Sequence, residues 1–412
     1  MIIDISNKKF QDAIPVLTTI ESHGYEAYFV GGCVRDSILN KEVNDIDIAT
    51  SAFPSEIQEI FPKHFDVGVE HGTIVVLHQG NDYEITTFRT ESTYTDFRRP
   101  DHVDFVRSLE EDTLRRDFTM NAMAIDAKGK VYDFHQGLLD IQQKSIRAVG
   151  KAEERFQEDA LRMIRGIRFA SQLGFDIESQ TLSAIRKLAA NLEKISVERV
   201  RIEMDKLLKG VYLKEMLPTI YHSGLLQYLP LADEAVYYRA IQTISHQTEH
   251  VPVKDSVMMW ALLMIEMEIH HLDQIQSFLK GWTHSKQFIR KVHEFIELYF
   301  LYQTKSLTSI HLYPFNQESI NRISEFLKYN SDPNSAQKIQ NLYKTLPIHH
   351  RKELHINGQM IMEHLQVQKG GPWVGELLSF LEESVIKGEI ENAQPVLIQL
   401  ATKYYQDKIN HK

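Results

Sequence analysis

The periodicity of the chain changes once, near Ala152, and that change limits its architecture more than any single residue does. Before it, short β-rich runs alternate with helical spacings; after it, helical periodicity with few prolines continues to the last residue. The pattern predicts a mixed α/β head and a long helical remainder. Within the head, a helix is expected around Ile14 to Ile20, a strand at Ala27 to Val30, and a second helix after Gly31-Gly32. Thr73 to His78 and Tyr83 to Phe88 are separated by Gln79-Gly80-Asn81-Asp82, a hairpin signal. Val103 to Val106 and Ala122 to Asp126 read as a further strand pair that brackets Arg115-Arg116-Asp117. In the helical part, Leu229-Pro230 and His311 to Asn316 mark breaks, and Met258, Met259, Leu262 and Leu263 read as core.

A chain of 412 residues exceeds the size at which one hydrophobic core stops growing, so two or more domains are expected. Cys33 is the only cysteine, which excludes an intrachain disulfide and a cysteine-based zinc cluster. A formal net charge of -10 argues against coating nucleic acid through bulk charge, so any RNA contact must use local basic surfaces. The amino terminus shows no basic start followed by an apolar stretch, and the longest uncharged apolar run, Val257 to Ile265, is short of a bilayer span. A cytoplasmic protein without a membrane partner is expected.

Val30-Gly31-Gly32-Cys33-Val34-Arg35-Asp36 follows a strand and opens a helix, so backbone amides there can approach a triphosphate without side-chain obstruction, with Arg35 adding a forked donor. Asp45-Ile46-Asp47 places carboxylates at i and i+2, on one face of a strand, with Ile46 and Ile48 turned to the core. Alone, such a tripeptide is more often a solvated strand edge. Placed shortly after the glycine pair, it reads as a pair of ligands for two magnesium ions, one activating an attacking 3'-hydroxyl and one holding the triphosphate. Glu84 shares a strand face with Thr86 and Phe88, opposite Ile85, and is the candidate third carboxylate.

Gly31-Gly32-x-Val34-Arg35-Asp36 followed by Asp45-Ile46-Asp47-Ile48-Ala49-Thr50 resembles the signature of the class II CCA-adding enzymes and bacterial poly(A) polymerases, within the DNA polymerase β nucleotidyltransferase superfamily. The resemblance implies an α+β fold: a polymerase-β-like head with a mixed sheet and helices, followed by an all-α neck, body and tail. It implies Asp45 and Asp47 as metal ligands, and Gly32 and Arg35 at the incoming nucleotide. Arg115-Arg116-Asp117-Phe118-Thr119-Met120-Asn121-Ala122 is similar to the second family motif, in which Arg116 contacts the nucleotide. Thr119 and Asn121 are candidates for telling ribose from deoxyribose, and Arg115 for a surface ion pair with Glu110-Glu111-Asp112.

Glu158-Asp159-Ala160-Leu161-Arg162-Met163-Ile164-Arg165-Gly166-Ile167-Arg168 places Asp159, Arg162, Arg165 and Arg168 on one slanted stripe if the segment is helical. A solvated helix face would show the same pattern. Cytosine and adenine both offer an amino donor beside a bare ring nitrogen, which a carboxylate beside a guanidinium matches; guanine and uracil present the opposite order. Asp159 with Arg162 could therefore select C and A without a nucleic-acid template. The stretch resembles the family's base-recognition motif, which implies Asp159 and Arg162 at the base and Arg165 and Arg168 near the phosphates or the active-site interface. Glu198-Arg199-Val200-Arg201-Ile202-Glu203 resembles a further family block and reads as an ion-paired structural helix without a catalytic role.

Glu91 to Pro100, with Asp96, Arg98 and Arg99, resembles the flexible loop that CCA-adding members use for the switch to ATP. Lys280, Lys286, Arg290 and Lys291, and later Lys338, Lys344, Arg351 and Lys352, are candidates for meeting tRNA phosphates, although each taken singly reads better as part of a solvated helix face. The histidine pairs His270-His271 and His349-His350 lack metal-site spacing. The expected organisation is a catalytic head at 1–147, a base-reading neck at 148–210, a body at 211–310 and a tRNA-contacting tail at 311–412. The expected reaction is addition of CCA to the tRNA 3' end and acceptor arm from CTP and ATP, with Mg2+ as cofactor; family resemblance adds a homodimer. A poly(A) polymerase, a specialised CC-adding or A-adding enzyme, and a non-catalytic RNA-binding relative are the rivals.

Overall fold

The computed structural model describes residues 1–91, 103–231, 233–248, 253–304, 307–330 and 332–410. The segment expected to act as a switching loop lies, apart from Glu91, outside the described residues. Two compact units emerge: Met1–Lys254 with Gly281–Thr283, and Asp255–Lys280 with His284–Lys412.

The first unit is built on a seven-stranded mixed sheet. Its strands are β1 (Ala27–Val30), β2 (Asp47–Thr50), β3 (His64–Gly68), β4 (Thr73–His78) and β5 (Asn81–Thr87), with β8 (Met123–Ile125) and β9 (Val131–Asp133), in the order β3-β4-β5-β2-β1-β8-β9. Only β2 and β5 run parallel. The β4–β5 turn is Gln79-Gly80, both at positive φ (51° and 85°), as a two-residue type I' hairpin requires. Asn81 and Asp82, expected in the turn, pair instead with His78 and Leu77. The expected pairing of Val103 to Val106 with Ala122 to Asp126 is not made. Strand β7 (Val103–Phe105) pairs with β6 (Arg89–Glu91) in a separate ribbon, while β8 pairs with β1 and β9.

Alternation assigns the two faces of the sheet. Phe29, Ile48, Ile85 and Ile74 lie on one rung and are all fully buried, beneath helix α1 (Lys8–Ser22) and helix α3 (Pro54–Ile60). Phe10 of α1 meets Phe29 edge-on at 4.9 Å. Each such side chain contributes about 1.5–3 kcal/mol relative to leaving it in water. The opposite face carries Val30, Ala49, Phe88 and Ala124, closed at one end by Leu109 of α4 (Leu109–Leu114). The other end of that face is left uncovered, and it bears Asp47 and Glu84.

Between strands, α2 (Gly32–Ile38) follows β1 and α5 (Gly137–Gln142) follows β9. Past the sheet come α6 (Ala152–Glu158), α7 (Leu161–Leu173), α8 (Ser179–Leu188) and α9 (Val197–Leu207). The switch to helix is as expected except for one two-residue strand, β11 (Asp176–Ile177), which pairs in parallel with β10 (Ser145–Ile146). Gly166 brings α7 close to the head: a Cβ there would stand 3.1 Å from the Phe118 ring. Helix α7 also packs on α9, which sets the second wall of the site.

The second unit is helical throughout its described residues, including Ser256–Glu266, Lys286–Gln303, Gln317–Tyr329, Pro333–Lys344, Pro372–Ile386 and Gln394–Asn410. Met258, Met259, Leu262 and Leu263 are core as expected, each at most 1% exposed. Among the described residues no helix is long and apolar enough to cross a membrane.

Candidate active site

Asp47 opens β2 and pairs antiparallel with Val30 and parallel with Glu84. Residues directly opposite one another project to the same face, so the Asp47 and Glu84 carboxylates stand side by side at the uncovered end. Asp45 precedes the strand, not on it as expected, yet lines the same two clefts as Asp47. Ile48 is buried and Ile46 only half-buried. Desolvation and the Glu84 charge, with a smaller push from Asp45, raise the Asp47 carboxyl above the usual range; Arg116 pulls the other way. Among the described residues no three Asp, Glu, His or Cys side chains already surround a common metal position.

Gly31 caps α2 at φ 76°, a conformation glycine adopts without strain. A Cβ there would lie 3.5 Å from Asp47 Oδ2 and 3.6 Å from Arg116 Nη1, so the glycine keeps the space between carboxylate and guanidinium open. Arg35, one turn into α2, donates to Asp36 (2.9 Å) and Asn121 (2.7 Å) and lies 5.0 Å from the centre of the Phe169 ring. Arg116 donates to Asp112 at 3.1 Å, while its Nε is buried without a hydrogen-bond partner. Arg115 also pairs with Asp112, and that carboxylate is wholly buried. The expected surface ion pair is thus a buried one shared by both arginines, whose charges override desolvation and hold Asp112 below its ordinary range. Thr119 is buried and donates to Asp140 (2.6 Å), so of the two ribose candidates only Asn121 reaches the cleft.

The expected helical stripe is interrupted. Helix α6 ends at Glu158, Asp159 is extended (φ −135°, ψ 102°), and α7 starts at Leu161. The cause is local: the Asp159 carboxylate accepts from the Leu161 N–H (3.1 Å), satisfying one orphan donor of the new helix. Arg199 of α9 then grips both Asp159 oxygens, at 2.7 and 3.3 Å. Arg162, 8% exposed, donates to Glu158 (2.6 Å) and to the carbonyls of Arg155 (3.0 Å) and Arg115 (2.8 Å). Arg165 forks onto Asp117 at 2.9 and 2.6 Å. Burial works against the Asp117 charge, but Arg165, Asn121 and the Phe118 N–H together hold its carboxyl well below the usual range. Arg168 pairs with buried Glu203 at 2.9 Å, and desolvation draws its pKa down to about 10 against the pull of Glu203.

These groups line one cleft of about 660 Å³: Gly32, Arg35, Asp45, Asp47, Arg116, Asp159, Arg162, Arg165 and Arg168 all border it. Glu84 borders a second cleft of about 590 Å³, which meets the first at Asn44, Asp45 and Asp47. Arg199 and Lys206 were not anticipated as site residues, yet both line the first cleft. The Glu198 to Glu203 block is an ion-paired helix as expected: Arg199 pairs with Asp159, Arg201 with Asp205 and Glu203 with Arg168. Arg199 also lines the cleft, which its i, i+4 spacing to Glu203 does not signal, because its partner is Asp159, 40 residues away.

Comparison with known proteins now fits this geometry. Residues 27–147 match the family model for the poly A polymerase head domain, 174–236 the model described as "Probable RNA and SrmB-binding site of polymerase A", and 251–401 a tRNA nucleotidyltransferase domain 2. The CCA-adding enzyme of Enterococcus faecalis is 45% identical across 96% of this chain and 96% of its own length. That of Lactiplantibacillus plantarum is 44% identical across the whole of both chains. The chain belongs to the CCA-adding enzymes. The crystal structure of the Bacillus stearothermophilus CCA-adding enzyme in complex with CTP superposes with a TM-score of 0.85 at 36% identity, covering 98% of this chain and 100% of that one. The Thermotoga maritima CCA-adding enzyme complexed with tRNA shares the fold, with a TM-score of 0.61 at 19% identity and covering 98% of this chain and 100% of that one. The family resemblance carried by the glycine pair and the two aspartates, the expected fold class and the nucleotidyltransferase assignment are all borne out.

Proposed function

We propose that this CCA-adding enzyme extends the 3' end of tRNA by two cytidines and one adenosine, taking CTP and ATP and releasing pyrophosphate. The observation that carries the reading is the convergence, on one cleft, of the Asp45 and Asp47 carboxylates with the Asp159–Arg162 pair. The RNA 3'-oxygen attacks the α-phosphate, a 3'-O–P bond forms, and the bond to the β-phosphate bridging oxygen breaks. No protein nucleophile is required.

Asp45 and Asp47 hold Mg2+, with Glu84 as the third carboxylate. The donor set fits: it is all oxygen, the Glu84 and Asp45 charges make Asp47 harder to ionise, and Gly31 leaves the adjoining space clear. Magnesium typically takes one or two carboxylates and completes its shell with water and substrate phosphates, so a preformed protein cage is not needed. When bound it supplies activation of the 3'-hydroxyl and neutralisation of the leaving pyrophosphate. Gly32, Arg35 and Arg116 receive the triphosphate, and Asp159 with Arg162 reads the Watson-Crick edge of C or A. Arg165 and Arg168 support the phosphate side of the cleft. Residues 1–147 form the head, 148–210 the neck, 211–310 the body and 311–412 the tail that meets the acceptor arm. The enzyme works in the cytoplasm as a homodimer.

The test uses tRNA ending at the discriminator base, with CTP, ATP or both. Two additions with CTP alone and a third only when ATP is present are expected. A long A ladder on unrelated RNA would instead mark a poly(A) polymerase and overturn the assignment.

A further inference from the structure

Strand β3 is an edge strand of the head sheet, and it exposes Phe65 (57%) and Val67 (67%). An isolated exposed apolar residue needs no explanation. The placement of Phe65 does. Its register partner is Val75, Val75 pairs with Glu84, and Glu84 pairs with Asp47. Residues directly opposite share a face, so Phe65, Val75, Glu84 and Asp47 form one rung on the side that carries the catalytic carboxylates. The neighbouring residue confirms the direction: Asp66 accepts from Gln58 of α3 (2.9 Å), and α3 covers the opposite face. At about 4.8 Å per strand, the Phe65 backbone stands roughly 10 Å from that of Glu84.

Two substrates must converge on Asp45 and Asp47, and two clefts do. The first is rich in arginine and suits a triphosphate. Among the described residues that line the second, Lys9 is the one cation, against Asp12, Asp45, Asp47, Asp82 and Glu84. Such surroundings repel phosphate and tolerate a neutral base. Val75 lies at its wall, and Phe65, its register partner, stands exposed one strand farther out.

Building on the proposed function, we infer that Phe65, with Val75 beside it, is the platform on which a base of the RNA primer stacks just upstream of the reacting 3'-hydroxyl. The aromatic face accepts any base, which suits a primer whose last residues change with each addition. Phe65 is a positioning residue: it aligns the RNA end toward the carboxylates and takes no part in the chemistry.

Steady-state kinetics of the full chain with CCA-less tRNA and CTP test this. Phe65→Ala should raise KM for tRNA roughly five- to a hundredfold, the range expected for one lost stacking partner. KM for CTP and kcat at saturating tRNA should stay within about twofold, and Phe65→Trp should restore the parent KM. A 2-aminopurine placed at the primer's penultimate position should be quenched by the parent protein and not by Phe65→Ala. An unchanged KM for tRNA overturns the platform. Loss of dimer by the variant with unchanged KM does so too, and assigns the strand to a second copy of the chain. A parent protein that extends no tRNA strikes at the proposed function itself, a result that the variant series does not mimic.

Discussion

The two walls of the nucleotide cleft are charged in opposite ways, and they are built on opposite physical terms. On the sheet side, Asp47, Glu84 and Asp45 crowd carboxylates together, and Asp47 is held above its ordinary range by desolvation and by Glu84. On the helical side, Asp159, Arg162, Arg165 and Arg168 are each already satisfied by a partner: Arg199, Glu158, Asp117 and Glu203. The sheet wall therefore carries negative charge that a bound cation would offset, whereas the charged groups named on the helical wall are already ion-paired. Under the proposed function the reaction centre needs the first property, since its carboxylates are there to meet a cation. A surface that distinguishes bases needs the second, because a loosely held carboxylate would adapt to the wrong edge.

The sharpest way to break the contrast is at Asp47. Asp47→Asn should lower nucleotide incorporation by about a thousandfold or more, comparable to removing a group that acts chiefly in the transition state. In the absence of divalent cations the same change should raise the melting temperature at neutral pH. The sign follows from the raised pKa: the ionised folded form is disfavoured, so the parent protein loses stability as pH rises from the ordinary aspartate value through the raised one. Below that window Asp47 is protonated in both states, and the stability advantage of the variant should vanish. Calorimetry across pH checks this; a variant less stable than the parent at neutral pH would mean that the sheet wall is not charge-strained.

The helical wall should respond in the opposite sense. Glu203→Ala leaves Arg168 buried without its counter-ion and should cost about 3–5 kcal/mol in denaturant unfolding. A loss under about 1 kcal/mol would show that the wall does not depend on that pairing. The smallest effect belongs to base choice. Asp159→Ala should reduce discrimination of CTP over UTP about tenfold or more, and Arg199→Ala, which leaves the Asp159 carboxylate in place but ungripped, should reduce it by less. Equal discrimination in all three proteins would remove Asp159 from the base-reading role.

Much of the sheet wall is legible in the amino-acid sequence. The hairpin between β4 and β5 is readable as a polar, glycine-containing connection, though its two-residue length is not, since Asn81 and Asp82 look like turn residues and pair as strand; Gly31-Gly32 is readable because a strand, a glycine pair and a helix follow one another directly. The face shared by Glu84, Thr86 and Phe88 follows from strand alternation. The break at Asp159 is not legible. The apolar spacing of Leu161, Ile164 and Ile167 runs on as though the helix extended further back, and nothing in that period registers a side chain that caps the helix from just outside it. The partner of β7 also escapes, because alternation identifies a strand without naming its neighbour.

The sequence by itself pointed to candidate residues and, for some of them, to the element that carries each: Asp47 on a strand, Arg35, Arg162, Arg165 and Arg168 on helices, a helical chain beyond Ala152. Local spacing sets secondary structure and the face a side chain takes, and those are short-range properties. Only the tertiary structure decided the partnerships. Register between β2 and β5 put Glu84 beside Asp47. Packing of α7 and α9 brought Arg199 onto Asp159 across 40 residues, and Arg165 reached Asp117 across 48. Such pairings depend on which elements are neighbours in space, and neighbours are chosen by burial of whole faces rather than by any local pattern.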